Sequence, residues 1–265
     1  MFPFGLSVGK VGKMREKKDL SGLAKALASK DALVSIAAAE ALESLAGDIQ
    51  DASVIEALIS YVNDDSLGGY AIRALTAIGD KRAADSLLPL LSGQRRGLAA
   101  RALGAMHDTR AFEQIMTLLA DGSDDVRSDA AVALGLLGDK RAADALYGAA
   151  TQDSDWLVRE SAGEALVKLG DPRGADAYVS SAVTRLIETY NTTGGEWFES
   201  DGGKKSALPD VLQGRVRRIG EQLNSLGGLA LMEEAYGAFT DYADWGWKIT
   251  HDLRKVWAGI GEWKA

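Results

Sequence analysis

The sequence predicts an all-α fold, a right-handed α-solenoid (superhelix) of helical hairpins with a C-terminal helical cap. Three observations predict it. First, the phrase Gly-Asp-Lys-Arg-Ala-Ala-Asp stands at 79–85 and again at 138–144, with variants from His107 to Ala111 and from Gly170 to Asp176. Weaker copies open at Lys18-Asp19 and Gly47-Asp48. The marker residues Asp19, Asp48, Asp80, Asp108, Asp139 and Asp171 are thus spaced by 29, 32, 28, 31 and 32 residues, the self-similarity of a repeat array. Second, each period holds two short apolar runs at three- and four-residue spacing, the pattern of paired amphipathic helices. Third, alanine dominates the second run (Ala37 to Ala39 and Ala41, Ala99 and Ala100, Ala130, Ala131 and Ala133). Such small side chains let helices approach closely, and a pair of this size buries its apolar face only by stacking on the next.

The elements follow in order. Residues 1–16 form a lead-in whose Lys10, Lys13 and Arg15, with Lys17 and Lys18 beyond it, read as a solvated run. With Phe2 and Phe4 it could touch an acidic lipid surface, but capping of the first repeat by the rings is the preferred reading. Gly5, Gly9 and Gly12 are no phosphate loop, because no strand precedes them and no Gly-Lys-Ser/Thr follows. The array occupies 17–180, with units of about 17–47, 48–79, 80–107, 108–138, 139–170 and 171–190. In the fourth, Asp108 is placed to cap helix A, whose apolar stripe is Ala111, Ile115, Leu118 and Leu119. Asp121-Gly122-Ser123-Asp124 is a turn with a second acidic cap; Val126, Ala130, Ala133, Leu134 and Leu137 line helix B, which ends at Gly138. Pro172 suits a first helical position, where its missing N–H costs nothing. His107 stands where the other B helices end in glycine, and its imidazole is expected to satisfy terminal carbonyls. Helix A of the last unit runs on through Val183, Leu186, Ile187 and Tyr190. Residues 191–210 are a Gly/Ser-rich loop, and 211–265 an aromatic-rich helical cap: a helix over 211–226, a break at Gly227-Gly228, a restart over 229–239 and a closing helix over 252–263.

The pattern Asp-x-x-Val-Arg-x-x-Ala-Ala-x-Ala-Leu-Gly, well matched within 123–138 and loosely at 153–166, followed by Gly-Asp-x-Arg-Ala, resembles the short HEAT-like repeat named after phycobilisome (PBS) lyases. The resemblance covers about residues 17–180, and the segment Lys13 to Leu23 is similar to the lead-in of prokaryotic proteins of this type. Tetratricopeptide and ankyrin units differ in period or lack their signatures here. The resemblance implies the solenoid and, with it, B helices lining a concave surface. It leaves function open, since such arrays host many unrelated tasks.

Composition excludes several functions. The chain has no cysteine, so thiolate metal sites, disulfides and cysteine nucleophiles are impossible. A net charge of −8 argues against nucleic acid as a partner, and no apolar run reaches the roughly 18–20 residues of a membrane span. The expectation is a soluble, cytoplasmic monomer with no cofactor and no metal. Among catalytic relatives of such arrays, deoxyhypusine hydroxylase needs repeated His-Glu pairs, whereas this chain offers only His107-Asp108 and His251-Asp252. HEAT-like DNA glycosylases need a cationic groove. Phycobilin lyases remain as an alternative, because a tetrapyrrole asks for an aromatic, charged cleft more than for a triad.

Two sets of side chains are candidates for binding. Residues 171–265 carry 11 of the 18 aromatics, and Trp197, Phe198, Trp245 and Trp247 are candidate anchors for a ligand or partner, although covering the solenoid end is the preferred role of this segment. On the B helices, alignment on Leu42, Leu75, Leu103, Leu134 and Leu166 places Glu40, Arg73, Arg101, Val132 and Glu164 in one exposed row. Ala37, Tyr70, Leu98, Asp129 and Ser161 stand in the adjacent row. Tyr70, Arg73, Leu98 and Arg101 have the composition of an interface centre, with Asp129 and Glu164 beside them. Arg96, Arg127 and Arg159 recur once per unit and read as stack-orienting residues. The expected function is a non-catalytic protein–protein interaction scaffold; the alternative is a tetrapyrrole or other aromatic small-molecule binder using the C-terminal aromatics.

Overall fold

The computed structural model describes residues 6–192, 210–242 and 256–261. They are all-α, of the α-solenoid class, and fall into two compact units, Met1–Asp139 and Lys140–Ala265.

In the first unit, α1 (Val8–Glu16) leads into four hairpins: α2 (Leu20–Ala26) with α3 (Ala32–Ser44), α4 (Ala52–Ile59) with α5 (Gly68–Ile78), α6 (Ala84–Leu87) with α7 (Arg96–Ala105), and α8 (Phe112–Leu118) with α9 (Asp124–Leu137). The second helices pack in sequence, α3 on α5, α5 on α7 and α7 on α9. Their aligned leucines Leu42, Leu75, Leu103 and Leu134 are fully buried, as are Leu23, Leu58, Leu87 and Ile115 of the first layer. Glycine sets the closest approach: a Cβ on Gly104 would lie 2.8 Å from the Ala133 Cα.

The marker phrase has a mechanical basis. The residue before five of the six marker aspartates takes the left-handed conformation that ends a helix: Gly79, Gly138 and Gly170 at φ near 70°, and Lys18 and His107 at 52° and 54° without being glycine. Gly47, before Asp48, lies instead within a short 3-10 turn, Ala46–Asp48. The amide of Asp108 donates to the Leu103 carbonyl and that of Asp171 to the Leu166 carbonyl, closing the helix end. The aspartate then caps the next helix. Asp80, Asp108 and Asp171 accept from the amides of Arg82, Arg110 and Arg173 at 2.8, 3.1 and 3.0 Å. His107 thus acts through its backbone, which supplies the turn that glycine supplies elsewhere.

The second cap of the fourth hairpin differs from expectation. Ser123 is the N-cap residue and makes no side-chain cap bond, while Asp124 accepts only from the adjacent Asp125 amide at 3.0 Å. The Asp121 carboxylate takes the Ser123 amide at 2.9 Å and the Arg96 guanidinium, binding the turn to the preceding hairpin.

In the second unit, the hairpin α10 (Ala143–Gln152) and α11 (Trp156–Leu169) is followed by α12 (Arg173–Thr192) and α13 (Asp210–Tyr242). Gly228, at φ 63° and ψ −150°, bends α13 in a region open only to glycine, so that Leu223 and Met232 on its two arms reach one core with Tyr178, Leu186, Val216 and Ile219. Residues 256–261 close this core. Trp257 is fully buried and donates from Nε1 to the Val216 carbonyl at 2.9 Å, in space left by Gly220. The helix expected over 252–263 is, within its described part, a single turn that stops after Trp257, because Gly259 and Gly261 take positive φ.

Among the described residues no helix is long and apolar enough to cross a membrane, and no group of three His, Asp or Glu side chains is placed to hold a metal ion.

Candidate interaction face and a buried polar cluster

The second-helix row of the first unit faces outward. Glu40, Arg73 and Arg101 are exposed and Val132 half-buried; in the adjacent row Ala37, Tyr70, Leu98 and Asp129 are half-buried. The Arg73 guanidinium lies 4.6 Å from the centre of the Tyr70 ring, and its Nε donates to Glu43 of the preceding hairpin at 3.3 Å. Arg101 Nη1 donates to Asp129 of the following hairpin at 3.1 Å. Asp129 fills the notch over Gly97, where a Cβ would come within 2.5 Å of its carboxylate. Burial pushes the Asp129 carboxyl up from its ordinary pKa, and Arg101 opposes that shift. The structure therefore brings Tyr70, Arg73, Leu98, Arg101 and Asp129 into one strip, with Asp129 largely spent on packing.

Glu164 belongs to the second unit, where it pairs with Lys168 one turn on at 2.8 Å. Trp197, Phe198, Trp245 and Trp247 lie outside the described residues.

The recurring arginines orient the repeats in two ways. Arg96 grips Asp121 of the next hairpin with two bonds of 2.6 and 2.7 Å, which hold the Asp121 carboxyl at a pKa of about 2. Arg127 and Arg159 instead reach back to carbonyls of their own turns, Asp121 and Asp153, at 2.9 and 2.8 Å. At the starts of the first helices, Arg110 joins its own Asp108 to Asp85 of the preceding hairpin, and Arg173 joins Asp171 to Asp144. The hydrogen bond from Arg82 holds Asp80 at about 2, and that from Arg173 does the same for Asp171.

One cluster escaped sequence reasoning. Glu160 on α11, 6% exposed, receives Arg185 of α12, the Tyr178 hydroxyl at 3.4 Å and, through Arg185, Gln222 of α13. Arg185 also stacks on the half-exposed Trp156 ring, 4.6 Å from its centre. Burial raises the Glu160 carboxyl, with Arg185 working against it, and burial followed by the Glu160 charge raises the Tyr178 phenol. Ser181, on the same stripe of α12 as Tyr178 and Arg185, is buried with no partner for its hydroxyl. A signal was present: six residues before the aligned leucine, where Glu160 stands, the two preceding hairpins carry Gly97 and Ser128.

The sequence matches the pattern of HEAT repeats over residues 92–167 and that of the PBS lyase HEAT-like repeat over 69–93. No curated protein sequence matches. Among solved structures, the chain is similar to one in the complex of CpcE and CpcF of phycocyanin lyase from Nostoc sp. PCC7120, with a TM-score of 0.54, 18% identity and coverage of 90% of this chain and 93% of that one. It is also similar to an engineered protein, with a TM-score of 0.46, 21% identity and coverage of 86% and 98%.

Proposed function

From its place among HEAT-repeat proteins with PBS lyase HEAT-like units, we propose that this chain is a non-catalytic scaffold that binds a protein partner on the second-helix face of its first unit. The observation that carries the reading is the strip formed by Tyr70, Arg73, Leu98 and Arg101, in which an aromatic, an aliphatic and two half-exposed guanidinium groups are held in place by neighbouring hairpins. Aromatic and arginine side chains fixed in advance lose little entropy on binding. The similar Nostoc chain comes from a complex of two proteins, which favours a protein partner. The test is affinity capture from the source cells with the wild-type chain and with the Arg73→Glu/Arg101→Glu variant: loss of the captured protein is expected, and undiminished capture defeats the proposal.

A second reading, a tetrapyrrole binder, draws on the same similarity, since that complex is a phycocyanin lyase. Its test is thermal unfolding with and without a bilin. A ligand of the folded state raises Tm by mass action, and an unchanged Tm at saturating bilin removes this reading.

A further inference from the structure

Resting on the reading of this strip as a protein-binding face, we propose that its occupant is an amphipathic helix laid across α3, α5, α7 and α9, presenting basic, acidic, acidic and apolar residues at seven-residue intervals.

The row Glu40, Arg73, Arg101 and Val132 supplies one side chain per helix at one level, each two residues before a fully buried leucine. Its order is negative, positive, positive, apolar. Packed helix axes lie about 8–10 Å apart, and seven residues of α-helix rise about 10.5 Å. One residue in seven of a crossing helix therefore meets each helix of the row, and it returns to nearly the same face, drifting about 20° per seven. An extended chain fails this geometry. At about 3.3 Å per residue it covers the step in three residues, an odd number that turns alternate side chains away from the face.

The chemistry agrees with the spacing. One side-chain hydrogen bond engages each guanidinium, Arg73 Nε to Glu43 and Arg101 Nη1 to Asp129, out of five N–H donors on each. Their side chains are 45% and 54% exposed, so both retain an accessible edge for a carboxylate. Stacking on Tyr70 fixes the plane of Arg73, which favours a two-bond contact. Tyr70 and Leu98, one turn away in the adjacent row, offer apolar ground to the residues three or four positions on in the visiting helix. The net charge of −8 does not forbid an acidic guest, because screening at physiological salt acts over about 8 Å. Among the acids of the two rows and their pairs, Glu43 and Asp129 are already engaged with the two arginines, and Glu40 calls for the basic residue.

The test pans a phage-displayed library of helical peptides of about 25 residues, long enough to carry all four positions at seven-residue intervals, randomised on an alanine-rich framework, against the full chain at physiological salt. Enrichment of Lys/Arg-x6-Glu/Asp-x6-Glu/Asp sequences is expected. A synthetic peptide of that pattern should bind the Arg73→Glu/Arg101→Glu variant at least ten-fold more weakly, and a version with lysines in place of its acids should bind that variant better than the wild type. Enriched peptides that depend on both arginines but lack the acidic pair overturn this inference and leave the docking face standing. Peptides indifferent to the two arginines, or no enrichment at all, overturn both.

Discussion

Replacing Arg185 by Met should unfold the second unit more easily at neutral pH than at pH 5. Glu160 is 6% exposed, and without the guanidinium its carboxylate keeps only neutral partners, among them the Tyr178 hydroxyl at 3.4 Å. A buried carboxylate left in this way binds a proton. With an unfolded pKa of about 4.3, holding that proton costs about 1.4 kcal/mol per pH unit above it, hence about 4 kcal/mol at pH 7 and about 1 kcal/mol at pH 5. The neutral-pH figure agrees with the roughly 3–5 kcal/mol lost when one partner of a buried ion pair is removed. The sign follows from burial, which already raises the folded pKa of Glu160 in the native chain: the folded state holds the proton more tightly, so the contribution is greatest below the unfolded pKa and declines as pH rises toward the folded one. At about 3 °C per kcal/mol, Tm should fall by roughly 10 °C at pH 7. Urea unfolding followed by tryptophan emission isolates the effect, because all six tryptophans lie between 156 and 263, within Lys140–Ala265. A loss below about 1 kcal/mol at pH 7, or equal losses at pH 5 and pH 7, would refute the reasoning. Adding Glu160→Leu should restore most of the stability, since apolar replacement of both partners of a buried pair is often neutral. Failure to restore it would assign the loss to the Arg185 stack on Trp156.

Three further outcomes are expected. His107→Gly should stabilise the first unit by about 1 kcal/mol, because a side chain at φ 54° carries a left-handed penalty that glycine lacks; a lower urea midpoint by circular dichroism would count against it. Gly104→Ala should cost about 1–3 kcal/mol by forcing a Cβ against Ala133, whereas Gly148→Ala, inside α10 with open space around it, should gain about 0.5–1 kcal/mol; equal effects of the two would show that helix propensity alone decides. Below pH 4 the chain should lose stability progressively, because Asp80, Asp121 and Asp171 titrate near 2 when folded and near 3.9 when unfolded. Their contribution is present above the unfolded value and lost as pH falls through the folded one. Asp121→Asn should flatten that dependence, and an unchanged slope of urea midpoint against pH would refute the assignment.

The solenoid class was legible because its signals are local. The residue before Asp80, Asp139 and Asp171 is glycine since a helix ends there in a left-handed turn, and the aspartate follows since the next helix begins there. The same logic misplaced the second cap of the fourth hairpin, where three acids in five residues offered equivalent choices and a distant arginine, Arg96, claimed Asp121. The exposed row was legible too, since Arg73 and Arg101 recur at one register; their partners Glu43 and Asp129 were not, because neither spacing nor propensity says which neighbouring hairpin supplies an acid.

The sequence by itself determined the repeat, its period of about 31, the paired amphipathic helices and the absence of thiol chemistry, because capping, periodicity and composition act within a few residues of chain. Tertiary structure alone decided how the charges are used. Glu160 and Arg185 stand 25 residues apart, and Arg185 and Gln222 a further 37. They meet because α11, α12 and α13 pack together, and a buried ion pair depends on distances of a few ångströms that an amphipathic pattern does not encode.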